Sequence, residues 1–189
     1  MDIFSWLAVN FDQPILEWII ANLRNPVFDF LMPIITMFGD AGIFWIACSL
    51  VMIIIPKTRK VGCAMGLALL MGLLLCNLTL KPLIARPRPY VFFEHIAMYL
   101  TRGESDFSFP SGHTIASFEA ATALVIGNKK LGIPAMILAV LIAFSRLYLC
   151  VHYPTDVLAS VVLGIGLALL ATFLVKKGWA LWEAKKAKA

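Results

Sequence analysis

The sequence predicts an all-α protein, a polytopic helix bundle that crosses a membrane about six times. Three observations support this. Of 189 residues, 61% are hydrophobic and only 14% are charged, with a mean hydropathy of +0.88. A membrane-crossing helix needs about 20 mostly apolar residues, and long apolar runs recur along the chain. Gly, Pro, Asn and clustered Lys or Arg separate these runs, as at helix ends on a membrane surface. We therefore expect one integral membrane domain over residues 1–189.

Residues 1–23 do not fit a membrane span, because polar positions interrupt the apolar ones. Asp2 and Asp12 alternate with aromatic and aliphatic side chains, among them Trp6 and Trp18. This pattern is typical of an amphipathic helix whose tryptophans lie at the level of the lipid headgroups. We expect an N-terminal interfacial helix here.

The apolar runs and the segments that stop them define the expected spans. The first run is broken by the Gly-Asp-Ala-Gly segment at 39–42, and the second is stopped by three positive charges within 56–60. Gly62 and Gly66 form a small-xxx-small pair that lets a neighbouring helix approach the third span closely. The lysine-rich tail at 179–188 is expected to form a second interfacial helix. The six spans are expected at 26–38, 43–55, 61–80, 111–126, 131–149 and 156–175.

Lys and Arg divide unevenly between the two sides of a six-span protein. One side would carry eleven and the other five, which are Lys81, Arg86, Arg88, Arg102 and Arg146. Because cytoplasmic loops are enriched in Lys and Arg, we expect a cell-membrane protein with both termini in the cytoplasm. The five cations would then lie on the extracytoplasmic side. Even if the weak first span is absent, the side with fewer Lys and Arg residues is still the side of Lys81, Arg86, Arg88, Arg102 and Arg146.

Three polar clusters interrupt the apolar sequence. The first occupies 81–89, the second is Phe-Pro-Ser-Gly-His at 109–113, and the third is Ser145-Arg146 followed by His152 and Asp156. Alternation of the spans places all three clusters on the same face of the membrane. Together they supply two imidazoles, a carboxylate and several permanent cations, the groups needed to remove a phosphoryl group from a substrate.

The second cluster resembles an anion-binding helix start. Ser111 follows Pro110 and is a good N-cap residue, and free N–H groups at a helix N-terminus attract anions. Gly112 lets the backbone approach an oxyanion closely, and His113 would lie beside it. A lone histidine at a helix end is more often structural, but the neighbouring residues and the other clusters favour the anion site.

The cations Lys81, Arg88 and Arg146 have two possible roles. Lys and Arg often anchor helix ends at the membrane surface. That interpretation is weaker for Arg146, which lies in an apolar stretch where an unpaired charge would be costly and which therefore marks a functional site. A planar guanidinium also matches two phosphate oxygens at once.

His152 and Asp156 lie four residues apart near a helix start. That spacing lets the carboxylate reach one ring nitrogen, fix the tautomer and stabilise the imidazolium, which leaves the other nitrogen free as a nucleophile or base. A second histidine across the phosphoryl group could then protonate the leaving oxygen.

These residues resemble the three-part signature of the type 2 phosphatidic acid phosphatase superfamily. The signature reads Lys-x6-Arg-Pro, then Pro-Ser-Gly-His, then Ser-Arg-x5-His-x3-Asp, and every position is matched within residues 81–156. The resemblance implies a metal-independent phosphatase without a cofactor, in which His152 attacks phosphorus to form a phosphohistidine. Asp156 would orient His152, and His113 would protonate the leaving group. The phosphate oxygens would be held by Lys81, Arg88, Ser111, Gly112 and Arg146.

An external site at the bilayer surface suggests a lipid phosphate as substrate, with membrane lipids as the surroundings. Bacterial members of this size resemble undecaprenyl diphosphate phosphatases, which would serve lipid-carrier recycling in the cell envelope. The alternatives are phosphatidylglycerophosphate and phosphatidic acid phosphatases. A vanadium haloperoxidase is excluded by the apolar composition, and a non-catalytic lipid-binding or transport protein would not need the two histidines. The basic residues form no stripe for nucleic acid, and the sequence does not determine the oligomeric state.

Three polar residues lie outside the signature. Asn77, one turn before Lys81, is expected to form an interhelical hydrogen bond. Glu119, inside the fourth span, is expected to be hydrogen-bonded or protonated, and Arg86 is a possible substrate contact.

Overall fold

A computed structural model describes residues 3–99 and 103–188, so Asp2 and Arg102 lie outside the described residues. The described residues form helices and no strand, which confirms the all-α prediction. Two π-helical stretches, Ala8–Asp12 and Leu73–Leu80, continue α1 into α2 and α5 into α6. The ten α-helices are α1 Ile3–Leu7, α2 Gln13–Leu23, α3 Pro26–Met37, α4 Ile43–Ile54, α5 Arg59–Gly72, α6 Lys81–Ile84, α7 Pro89–Phe92, α8 Gly112–Gly127, α9 Lys129–Tyr148 and α10 Pro154–Lys186.

Helix α8 is the centre of the bundle and packs against α5, α9 and α10. At 16 residues it is shorter than a typical span, but it is surrounded by protein on most sides. Small side chains let the neighbouring helices approach it closely, and they include Ala120, Ala121 and Ala123, all buried. The indole N–H of Trp45 on α4 donates a 3.0 Å hydrogen bond to Ser117, which fixes α4 against this helix.

The first two predicted spans lie within one candidate span, Pro26–Ile54, which is broken near its middle. The predicted break at 39–42 is present, with left-handed backbone at Ala41 and Gly42. However, α3 packs along α9 and α4 packs along α5, and the apolar segment Pro26–Ile54 is continuous enough to form one candidate span. The sequence pattern shows where a helix breaks. It does not show whether the chain reverses there or continues in the same direction.

Four segments of the described residues are long and apolar enough to cross a membrane: Pro26–Ile54, Arg59–Phe92, α9 and α10. Helix α8 is shorter and lies at the centre of the bundle. The placement of both termini in the cytoplasm stays a prediction. Arg24, just before α3, donates to the carbonyl of Tyr99, in the long polar segment between α6 and α8. The helical segment 3–23 thus lies on the same face as the three polar clusters.

The N-terminal segment is helical, as predicted, and one of its faces is buried. Ala8, Asp12, Leu16 and Ile19 recur at intervals of three to four residues and are almost fully buried. Its other faces leave large apolar side chains exposed, including Trp18. That distribution fits a helix lying on the bundle with apolar side chains available to lipid.

The predicted interfacial tail is not a separate helix. Helix α10 runs without a break from Pro154 to Lys186, because no proline follows Val175 and the lysines there are good helix formers. The close approach predicted at Gly62 is confirmed. A Cβ on Gly62 would lie 2.6 Å from the backbone nitrogen of Ile53 on α4.

Candidate active site

The three polar clusters converge at one end of the bundle, where α8 and α10 begin and α9 ends. They border a cavity of about 810 Å³. Of the eight residues predicted to take part in catalysis or phosphate binding, six line it directly: Lys81, Arg88, Gly112, His113, Arg146 and His152. The other two, Ser111 and Asp156, are fully buried immediately behind these.

His152 lies in the turn between α9 and α10 with its two ring nitrogens in different surroundings. Nδ1 is 3.6 Å from Oδ2 of Asp156, close to but longer than a hydrogen bond. Nε2 lies 3.4 Å from a guanidinium nitrogen of Arg88. The ring is therefore oriented so that Nδ1 faces the carboxylate and Nε2 faces the cations, as the predicted division of roles requires.

The surroundings of His152 favour its neutral form. Burial, followed by the positive charges of Arg88, Arg146 and Lys81, lowers the pKa of His152 well below its usual value of 6.5. A nucleophilic imidazole needs an unprotonated nitrogen. The same cations that would hold a phosphate thus keep a lone pair available on His152 at neutral pH.

His113, on the first turn of α8, has a carboxylate partner that sequence reasoning missed. Its Nε2 is 2.8 Å from Oδ1 of Asp40, in the break between α3 and α4, and 3.4 Å from a nitrogen of Arg146. Gly39, which precedes Asp40, leaves room for the His113 ring, because a Cβ on Gly39 would lie 2.6 Å from Cδ2 of His113. The only sequence signal was an acidic residue in a glycine-rich break.

The predicted phosphate-binding cations carry carboxylate partners from the segment before α8. Asp106 bridges Lys81, at 2.5 Å, and Arg88, while Glu104 pairs with Arg146. Burial alone would raise the pKa of Asp106, but the hydrogen bonds and charges of Lys81 and Arg88 outweigh it and lower this pKa to about 2. Each of the three cations is thus paired with a carboxylate of the chain in this structure. Neither acid was singled out from the sequence.

The backbone at the start of α8 is arranged as predicted. Ser111 is the N-cap, and its side chain accepts from the N–H of Thr114. Its own N–H donates to Ser160 on α10 at 2.8 Å, which ties the two helix starts together. Gly112 faces Asn77, whose Oδ1 would lie 3.1 Å from a Cβ at that position. Asn77 Oδ1 has no hydrogen-bond partner among the described residues.

Away from the cations, the cavity becomes apolar. It continues between α4 and the middle of the Arg59–Phe92 segment, along side chains that are themselves exposed on the bundle surface: Ile46, Leu50, Leu70 and Leu73. One buried acid, Glu119, interrupts this apolar lining, and its Oε1 is unpaired within the described part of the chain. The cavity therefore joins a cationic pocket to a groove lined by apolar side chains that are exposed on the bundle surface.

Arg86 does not line the cavity. It is 3% exposed and lies behind the catalytic turn, where it pairs with Asp156 at 2.5 Å and with Asp12 at 2.7 Å. Its expected role as a substrate contact is not what the structure shows. Over 3–99 and 103–188, no group of three or more His, Cys, Asp or Glu side chains is placed to hold a metal ion.

Comparison with known proteins identifies a family. The model of the PAP2 superfamily matches residues 61–180. The undecaprenyl-diphosphatase of Sulfolobus acidocaldarius is 32% identical over 149 residues, 78% of this chain and 71% of that protein. Undecaprenyl-diphosphatase BcrC of Bacillus subtilis is 32% identical over 142 residues, 75% of this chain and 72% of that protein.

The fold is similar to a solved member of the same superfamily. The transmembrane PAP2-type phosphatidylglycerolphosphate phosphatase from Bacillus subtilis superposes with a TM-score of 0.71 at 32% identity, over 92% of this chain and 90% of that one. The chain belongs to the PAP2 superfamily and is a multi-pass membrane phosphatase.

Proposed function

We propose that this protein removes a phosphate from a lipid phosphate or diphosphate by metal-independent transfer to His152. The observation that supports this best is the cavity, in which two histidines and three cations stand at the mouth of a groove with apolar walls. A phosphate at the cationic end would leave the attached hydrocarbon in the groove, next to membrane lipid. A soluble phosphate ester has no hydrocarbon chain that could fill this groove.

In the first step, Nε2 of His152 attacks phosphorus with its lone pair, and the bond from phosphorus to the leaving oxygen breaks. Asp156 Oδ2 accepts a hydrogen bond from Nδ1–H of His152 once the distance between the two atoms shortens from 3.6 Å. This hydrogen bond stabilises the positively charged ring. His113 gives a proton to the leaving oxygen, and Asp40 stabilises the protonated form that it needs for this step. Phosphohistidine and a lipid alcohol or lipid monophosphate result.

In the second step, water attacks the phosphohistidine. His113 takes one proton from the water as the new oxygen–phosphorus bond forms and the nitrogen–phosphorus bond breaks. Inorganic phosphate leaves, and both histidines return to their starting states. Charge develops on the three non-bridging oxygens in both steps, and Lys81, Arg88 and Arg146 would stabilise it with the backbone of Ser111 and Gly112.

Undecaprenyl diphosphate is the proposed substrate. Two relatives named as undecaprenyl-diphosphatases are 32% identical to the chain, and the groove carries mainly aliphatic side chains suited to an isoprenoid. Phosphatidylglycerophosphate is the second candidate, because the PAP2-type phosphatase from Bacillus subtilis has the same fold. Phosphatidic acid is a third.

We also propose that the site faces the extracytoplasmic side of the cell membrane. This proposal counts Pro26–Ile54, Arg59–Phe92, α8, α9 and α10 as one crossing each. Six of the sixteen Lys and Arg residues, including Arg24, then share the site's side, and ten lie on the other. The larger group belongs in the cytoplasm, which places the end of α10 there and segment 3–23 outside. Labelling of single cysteines introduced at Ser5 and Lys185 with an impermeant thiol reagent in intact cells checks this orientation.

The test of function is phosphate release by purified protein in detergent with EDTA. The panel contains undecaprenyl diphosphate, phosphatidylglycerophosphate, phosphatidic acid and a water-soluble phosphate ester, with His152→Ala as control. We expect release that survives EDTA, is fastest for undecaprenyl diphosphate and disappears in the variant. Release that requires a metal, or that persists without His152, contradicts the mechanism. A preference for the soluble ester contradicts the lipid assignment.

A further inference from the structure

The mechanism leaves one buried charge cluster unused. Asp12 on the N-terminal segment, Arg86 after α6, and Asp156 on α10 are each 3% exposed or less. They come from three separate parts of the chain and meet directly behind His152. Burying three charges is costly unless each is fully paired, so this arrangement needs a reason beyond packing.

Arg86 connects the two carboxylates through separate nitrogens. Nη1 donates to Oδ1 of Asp156 at 2.5 Å and to the hydroxyl of Thr155 at 2.8 Å. Nη2 donates to Oδ2 of Asp12 at 2.7 Å. The guanidinium also lies over the ring of Tyr153, 3.8 Å from its centroid. It is therefore held from both edges and one face, and has little freedom to move.

Asp12 closes the network onto the start of α10. Its Oδ1 accepts from the backbone N–H of Thr155, and its Oδ2 accepts from the Thr155 hydroxyl, each at 2.8 Å. Asp12 thus fixes both Arg86 and the residue just before Asp156. A charged residue buried on an otherwise apolar helix face is explained by this double contact.

The consequence concerns the Asp156 carboxylate. Oδ1 is taken by Arg86, while Oδ2 accepts from Ser108 and from the backbone N–H of Tyr153 and faces Nδ1 of His152. Without Arg86, Oδ1 would be buried without a charged partner, and the carboxylate could rotate about its Cβ–Cγ bond. Oδ2 would then be held toward His152 only by Ser108 and the Tyr153 N–H, and its position would be less well fixed.

We propose that Arg86, anchored by Asp12, is a positioning residue that holds the Asp156 carboxylate toward His152. The N-terminal surface helix thereby completes the catalytic pair. This inference rests on the proposed roles of His152 and Asp156. Arg86 touches no substrate, so its effect reaches the reaction only through Asp156.

The experiment compares Arg86→Met, Arg86→Lys and Asp12→Asn with the wild type, using undecaprenyl diphosphate. Arg24→Met is the matched control, because Arg24 also ties the N-terminal segment to the bundle, through Asp29 and Tyr99, but does not reach Asp156. We expect Arg86→Met to lower kcat roughly 10- to 100-fold, as loss of an orienting partner does, with little change in KM. Arg86→Lys keeps one contact and should be intermediate, and Arg24→Met should keep the wild-type kcat.

A double substitution separates positioning from a structural role. In an Asp156→Asn background, Arg86→Met should cost less than threefold further, because Arg86 would have nothing left to position. If the full loss appears again in that background, or if KM rises and kcat does not fall, the proposal is overturned. Unchanged kcat with a lower melting temperature also overturns it, because Arg86 would then serve stability alone.

Orthovanadate binding gives a second readout that needs no turnover. Vanadate takes the position of the transferring phosphoryl group, and its affinity depends on Nε2 of His152. Weaker binding in Arg86→Met but not in Arg24→Met supports positioning, and equal binding in the two variants contradicts it. Loss of wild-type turnover on every lipid would instead count against the proposed function. The two failures are therefore distinguishable.

Discussion

Acidification should destabilise this protein through His152, and His152→Gln should remove that effect. His152 is buried, and the positive charges of Arg88, Arg146, Lys81 and, when protonated, His113 act on it. The carboxylate of Asp156, 3.6 Å from Nδ1, opposes them. Burial and these charges lower its pKa in the folded state, whereas in the unfolded chain it returns to about 6.5. Below that pH the unfolded state binds a proton that the folded state does not. Stability is therefore complete above about pH 6.5 and decreases as the pH falls.

The size of the effect follows from linkage. Each pH unit below 6.5 costs roughly 1.4 kcal/mol for one such group. In a chain of this length, that corresponds to a melting temperature lower by roughly 3–6 °C at pH 5.5. The assay is thermal unfolding in detergent, followed with a thiol-reactive dye, because Cys76 and Cys150 are buried and free.

The deciding quantity is the difference in the free energy of unfolding between wild type and His152→Gln, measured at pH 7.5 and at pH 5.5. Groups that do not interact with His152 are common to both proteins, so their contributions to the pH dependence cancel in this difference. We expect the wild type to lose about 1.4 kcal/mol relative to the variant over this interval. A wild type that gains relative stability on acidification would mean that Asp156 raises the pKa of His152. The claim that burial and the cations keep His152 neutral would then be refuted.

Three further predictions concern packing, phosphate binding and proton transfer. Gly62→Ala should cost roughly 2–3 kcal/mol in detergent unfolding, because its Cβ would meet backbone 2.6 Å away, whereas Gly166→Ala, with nothing within 4 Å, should be neutral or slightly stabilising. Equal effects would contradict the close approach of α4 and α5. Asp106→Asn should tighten orthovanadate binding two- to fivefold, since the half-exposed carboxylate competes weakly for Lys81, and weaker binding would show that Asp106 supports the site. His113→Ala should slow release of an alkyl leaving group more than of p-nitrophenol, and equal slowing would remove it as the general acid.

The sequence predicted the helical class and the composition of the site because both depend on local or strongly patterned information. Apolar run length determines the class, and the spacing of His152 and Asp156 determines their proximity on one turn. The Pro110-Ser111 pair predicts Ser111 as an N-cap, and the structure confirms it.

The partners of the site could not be predicted, because they come from distant parts of the chain. Asp40, Glu104 and Asp106 belong to breaks and loops whose path depends on tertiary packing. The pairing of Asp12 with Arg86, 74 residues apart, has no local signature. The number of crossings is hard to predict from the sequence for a related reason. A glycine-rich break is compatible both with a reversal of the chain and with a kinked continuation, and only the packing of α3 on α9 and of α4 on α5 distinguishes them.

The covalent intermediate is the strongest test of the proposed chemistry. Undecaprenyl diphosphate labelled with ³²P on its terminal phosphorus would be mixed with enzyme in EDTA and quenched within the first turnover. We predict labelled protein that is stable in base and labile in acid, that decays as phosphate appears, and that is absent from His152→Ala. Rapid phosphate release with no labelled protein at any quench time, or equal labelling of His152→Ala, would contradict attack by His152.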